Sequence, residues 1–257
     1  DIPMNAIQKE HVMIRDIRKK MVILSGRMPF SPQVREFAAH IEKKDWIYRN
    51  LKLNGSALRE EEVEDLINGS YVLGASVGEH LTAERLEKAL GKMRDSVSRG
   101  TDMDLKLINT FHNIIAGTGL DTGKGYRKRS LVITEYDYTP AIPSDIPEEM
   151  QKLQTMIDEK NQIAGSSEDC FLAAAEIHNM ILSIFPYGDE DKILARTAAA
   201  YFLMTKGYPA VACDMGEGEY NEAVSEGVKY GRCETLKDSL LKAVLERTDL
   251  MLQLTAY

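Results

Sequence analysis

The stretch "IFPYGDEDKILAR", residues 184–196, parts two runs that both carry helical patterning. Pro186 ends the first run, since proline has no N–H to give a helix interior. Phe185 and Tyr187 beside it read as buried residues. Three acids, Asp189, Glu190 and Asp191, then stand side by side just ahead of the second run. A helix N-terminus exposes unpaired N–H groups and a partial positive charge, so acids collect there. The reading is of two helices joined by a short acidic turn.

Working outward, most of the chain repeats that helical pattern. Ile14, Ile17, Met21 and Leu24 recur at spacings of three and four, one apolar stripe. Ser31 with Pro32 reads as an N-cap and first-turn pair for a helix reaching about Asn50. Further helices are expected near Glu60–Ile67, Ala83–Val97, Asp104–Ala116, Pro147–Gln162, Glu168–Ser183 and Ile193–Thr205. Two more are expected over Tyr220–Val228 and from about Thr235. Only "SLVITEYDY", residues 130–138, is rich in β-branched and aromatic residues, and it reads as a surface hairpin or flap. The expected fold is all-α.

Composition narrows the function. The net charge of −8 argues against nucleic acid or an anionic membrane as the main partner. Three widely spaced cysteines, Cys170, Cys213 and Cys233, fit neither a disulfide framework nor a zinc site and read as reduced thiols in a cytoplasmic protein. No apolar run approaches the ~18 residues of a membrane helix. The twelve methionines read as core fillers. Tyr71 and Tyr138 read equally as half-buried packing residues and as contacts.

Residues 173–211, "AAAEIHNMILSIFPYGDEDKILARTAAAYFLMTKGYPAV", resemble the Fic (Fido-fold) family. Its signature is a helix, a loop of form His-Pro-Phe-x-Asp/Glu-Gly-Asn-Gly-Arg-x-x-Arg, and a second helix. Upstream, "FHNIIAG", "GKGYRKRSLVI" and "YTPAIPSDIPEEMQKL" resemble the family's lead into its flap and the stretch after it. "WIYRNLKLNGSALREEEVEDLINGSYVLG" resembles its N-terminal inhibitory region. The resemblance implies an N-terminal helical region over 1–100, with an inhibitory-helix-like segment. A Fido-like core then covers 101–257, with a flap at about 128–140.

The loop departs from the signature. Phe185 stands at the catalytic-His position, and Tyr187 at the core Phe. Asp189 falls at the metal-ligand position, Glu190, Asp191, Lys192 and Ile193 replace Gly-Asn-Gly-Arg, and Arg196 falls at the second arginine. Active members transfer a nucleotide monophosphate from ATP to a target hydroxyl: the His takes the hydroxyl proton, the acid holds Mg²⁺ and glycine amides cradle phosphates. Phe185 cannot accept a proton, and loss of a general base costs ~10²–10⁴ in rate. His178, seven residues earlier, reads as a helix-face histidine. Glu190 and Lys192 resist the positive φ an anion nest uses. Carboxylates facing phosphates repel by ~4 kcal/mol at ~4 Å and an effective dielectric near ~20.

The expectation is that Asp189, Glu190 and Asp191 fill the site themselves; the rival is a metal site built from the same acids. In the inhibitory motif, Asn50 and Asn54 stand at the Ser and Glu positions, and Asn54 cannot make an ion pair with Arg196. Asp189 or Asp191 is the expected partner of that arginine. The flap residues Val132, Ile133 and Thr134 could add a target strand to their edge, and the basic run Lys124, Arg127, Lys128 and Arg129 would draw an acidic partner. The leading function is a catalytically inactive regulatory protein acting through a protein partner or a second copy, with no cofactor. The alternative is an AMP transferase modifying a protein hydroxyl from ATP and Mg²⁺, with Asp189 on the metal and Arg196 and Lys192 on the nucleotide. A nucleotide sensor without turnover lies between them.

Overall fold

A computed structural model describes residues 4–118 and 125–256. Among them run α1 (Ala6–Arg27), α2 (Pro32–Leu53), α3 (Glu60–Ile67), α4 (Val77–Ser98), α5 (Leu105–Ala116), α6 (Ile146–Asn161), α7 (Cys170–Ile184), α8 (Asp191–Thr205), α9 (Glu217–Tyr230) and α10 (Glu234–Leu254). The fold is all-α, as the apolar periodicity indicates. Helix starts follow local chemistry: Ser31 accepts from the Val34 amide at 3.2 Å with Pro32 in the first turn, and Asp104 accepts from Leu107 at 2.7 Å. Asn5 with Gln8, and Ser76 with Glu79, form capping boxes.

Helix α8 is the centre. From Ile193 to Leu203 every residue is buried, as expected of a helix apolar all round. Ala195, Ala198 and Ala199 are small enough to let it lie close to α7, whose own Ala173, Ala174 and Ala175 are equally buried. Helices α4 and α5 cover another side of α8, α9 and α10 pack on α7, and α1 lies on α10. One apolar cluster runs from Ile14 in α1 to Val244 in α10. The three cysteines are buried and free. Among the described residues no helix is long and apolar enough to cross a membrane.

The flap differs from the expected hairpin. Ile133 and Tyr138 form one isolated antiparallel bridge around a 3₁₀ turn, Thr134–Tyr136, with Asp137 in the left-handed region at φ 47°. The β-branched run is too short and too anchored to make strands: Tyr136 is buried, and its carbonyl accepts from Ser225 Oγ at 2.8 Å. Val132 and Thr134 are exposed, but Ile133 points into the core. Lys124 lies outside the described residues. Tyr138 is half-buried, whereas Tyr71 is exposed and stacks on His80.

Two glycines in helices separate packing from propensity. Gly227 in α9 approaches α7 so closely that a Cβ would lie 2.3 Å from Asn179 Nδ2, while nothing lies within 4 Å of one at Gly91 in α4. Gly91→Ala should therefore stabilise by up to ~1 kcal/mol through helix propensity. Gly227→Ala should destabilise by ~1–3 kcal/mol through overpacking. Urea midpoints at unchanged slope check the opposite signs.

Candidate functional site

The loop between α7 and α8 is built around two clamps. Phe185 closes α7 with its amide donating to Ile181 O at 2.8 Å, but its backbone sits at φ 51°, a region bulky residues avoid. Such a conformation costs ~1–3 kcal/mol and persists only when neighbours impose it. The following Pro186 bars Phe185 from continuing the helix. Its ring is buried in the core, so the residue at the catalytic-His position does not face the loop opening.

Arg127 is the first clamp. Its guanidinium donates to Phe185 O at 2.6 Å, Ile184 O at 3.1 Å and Arg129 O at 2.7 Å, and to Ala141 O. Its own amide donates to Pro186 O at 2.8 Å. One planar fork thereby satisfies the last carbonyls of α7 and ties both ends of the flap to the loop. This corrects its reading as part of an exposed basic run: only Lys128 and Arg129 of the described members are exposed.

Asp191 is the second clamp. Its Oδ2 accepts from the amides of Tyr187 at 2.8 Å and Gly188 at 2.9 Å, and its amide donates to Gly188 O at 2.9 Å. Gly188, at φ 143°, supplies the turn that aims both N–H groups at one oxygen. Asp191 is fully buried, and Oδ1 has no hydrogen-bond partner. Burial pushes its pKa up to about 7, with the Glu190 charge adding to the rise and the two amides and the Arg127 charge opposing it. Tyr187 completes the lid: its ring stacks on His112 with centroids 3.7 Å apart, and its hydroxyl donates to Asn109 Oδ1 at 3.2 Å.

The three acids therefore divide. Asp191 alone takes loop amides, and these belong to Tyr187 and Gly188 rather than to the first turn of α8. Asp189 is exposed, and Glu190 precedes α8 without a side-chain cap bond. Among the described residues no three His, Cys, Asp or Glu side chains converge in a group that could hold a metal ion. Lys192 turns to the flap, where its Nζ lies 3.2 Å from Glu135 Oε1 and 5.4 Å from the centre of the Tyr136 ring.

Arg196 does not pair with Asp189 or Asp191. Its Nε donates to Asn50 Oδ1 at 2.7 Å, and its Nη2 donates to Asn50 O at 3.4 Å and to Asn54 Oδ1. Its guanidinium lies 5.0 Å from the centre of the Tyr220 ring. The C-terminal end of α2, where the helix dipole is negative, thus receives the cation without a carboxylate. Asn50 is oriented by its own bond to Trp46 O at 2.8 Å. Behind Arg196, buried His178 bonds the Tyr220 hydroxyl at 2.6 Å and Asn179 Oδ1 at 3.1 Å. Burial drives its pKa down to about 3, so it is neutral.

Residues 102–203, about two-fifths of the chain, match the Fic/DOC family model. The crystal structure of a Fic domain-containing signaling protein from Bacteroides thetaiotaomicron superposes with a TM-score of 0.75 at 16% identity, over 94% of this chain and 98% of that one. A substituted form of Fic-1 from C. elegans gives 0.74 at 17%, over 95% of this chain and 72% of that one. A Fic family protein from Desulfovibrio desulfuricans gives 0.55 at 15%, over 95% and 71%. At these identities the likeness is one of fold. No curated protein sequence matches the chain.

Asp191 and His178 titrate in opposite senses. The raised pKa of Asp191 makes its contribution to stability complete below its ordinary value of 3.8, and that contribution is lost as pH rises through about 7. The lowered pKa of His178 makes its contribution complete above 6.5, and it is lost as pH falls toward about 3. Between ~4 and ~6.5 the two cancel in proton uptake. Asn at 191 keeps an oxygen for both amides but cannot ionise. Asp191→Asn should therefore gain on the unmodified chain by up to ~1.4 kcal/mol per pH unit from ~4 to ~7. Denaturation curves at a series of pH values check this, and parallel curves would contradict it.

Proposed function

We propose that this Fic-fold protein does not transfer nucleotides and acts instead as a regulatory binding protein. The observation that carries the reading is the Asp191 carboxylate on the amides of Tyr187 and Gly188. Those donors would otherwise be free for phosphate oxygens, and a buried acid now holds them from inside the loop. ATP with Mg²⁺, which the family resemblance implies, does not fit the residues present. The catalytic-His position holds a buried Phe185, Lys192 is drawn to the flap, and Arg196 is engaged by Asn50 and Asn54.

The binding edge in this reading is the flap. Val132 and Thr134 are exposed next to Lys128 and Arg129, a combination suited to an extended acidic segment of a partner protein.

Incubation with labelled ATP and Mg²⁺ should give no self-modification. Robust labelling that vanishes in Asp189→Ala would overturn the reading in favour of an active transferase. Phe185→His alone should also remain inactive, because a histidine at this buried, positive-φ position leaves Asp191 on the amides. Millimolar ATP should leave the melting temperature unchanged. A ligand at ~100 times its Kd would add ~2.7 kcal/mol, a rise of several degrees.

A further inference from the structure

Two exposed surfaces outside the α7–α8 loop have complementary chemistry. The first is the outer side of α1. Ile14 and Ile17 bury the inner side, while Val22, 73% exposed, and Ile23 lie beside Arg15, Arg18 and Lys19 around a shallow recess of about 590 Å³. None of these three bases enters an ion pair among the described residues, although the neighbouring Lys20 is paired with both Asp16 and Asp249. An unpaired positive face on a chain of net charge −8 is the point of least repulsion for an acidic partner.

The second surface is the corner between α3 and α4. Leu73 is 90% exposed, the most exposed large apolar residue among those described, and Tyr71, Val77 and Leu81 are exposed with it. Tyr71 is held by its stack on His80, with centroids 5.6 Å apart. Gly74 lies against the carboxylate of Glu62, which brings the acidic first turn of α3 to the edge of the apolar cluster. Glu61 and Asp65 on the same helix are exposed and enter no ion pair among the described residues. An apolar patch with the acidic first turn of α3 at its edge, and Arg85 and Lys88 beyond Leu81 on its other side, is suited to a protein contact.

We propose that the basic outer face of α1 docks on the acidic, apolar α3–α4 corner of a second copy of this chain. Val22 and Ile23 would cover Leu73 and Tyr71, while Arg15, Arg18 and Lys19 meet Glu61 and Asp65. Because α1 packs on α10 whereas α3 packs on α2 and α4, the two faces are different surfaces of one molecule. The contact is therefore heterologous, and copies add head to tail. The inference is independent of nucleotide transfer, since neither face includes the α7–α8 loop.

Sedimentation velocity over ~10–200 µM at ~50 mM salt tests it, with self-association expected to weaken several-fold at ~500 mM salt as screening shortens the reach of the charges. Arg15→Glu with Arg18→Glu spoils only the α1 face, and Leu73→Ser with Tyr71→Ser spoils only the corner. Each double variant alone should associate ~10-fold or more weakly. An equimolar mixture of the two should regain a 1:1 heterodimer that does not grow, because each supplies the face the other lacks. All four positions are exposed, and circular dichroism checks that the fold is kept. A monomeric unmodified chain throughout, undiminished association of either variant, or a mixture that stays monomeric while the unmodified chain associates would each overturn the proposal. Monomers that sediment with anionic vesicles would also overturn it, assigning the α1 face to membrane instead.

Discussion

The carboxylate of Asp191 on two successive backbone amides fixes the loop from which the rest of the site follows. An ionised carboxylate removed from water is costly unless hydrogen bonds and charge compensate. Here the compensation is partial: two amides hold Oδ2, Arg127 lies near enough to favour the charge, and Oδ1 is left without a partner. The imbalance is what raises the pKa to about 7. The same two N–H groups thereby serve an internal acid.

Arg127 and Arg196 extend the same logic outward. Arg127 gathers carbonyls from α7, the flap and the segment after it, so the flap is hung from the loop it would otherwise cover. Arg196 is taken up by amide oxygens of α2 and by the face of Tyr220. Both cations are satisfied largely by neutral oxygens, which costs less desolvation than bringing two ions together in the interior. Two polar atoms of the site stay without a hydrogen-bond partner among the described residues, Asp191 Oδ1 and Arg196 Nη1.

Much of this was legible in the sequence. The periodicity of Ile14, Ile17, Met21 and Leu24, the Ser31–Pro32 start and the pattern near Asp104–Ala116 each gave a helix that the structure contains. The order of motifs from about residue 45 to 230 likewise pointed to the family whose model matches residues 102–203. What escaped was directional. Three adjacent acids look equivalent in a sequence, yet only the third, one helical turn beyond Tyr187, can fold back to the loop amides. Arg127 read as one charge in a basic run because nothing local reveals carbonyls 14 to 58 residues away converging on it. Asn54 was read by the charge it lacks, although its amide oxygen is an acceptor and suffices for Arg196. The β-branched run of the flap has strand propensity but no neighbouring strand to pair with, so it closes as a single bridge.

Amide hydrogen exchange at Tyr187 and Gly188 tests the central claim most directly. In the unmodified chain both amides should be strongly protected, should stay so with ATP and Mg²⁺ present, and should lose protection selectively in Asp191→Ala. Free exchange of both amides in the unmodified chain, or protection gained only on adding nucleotide, would contradict the account.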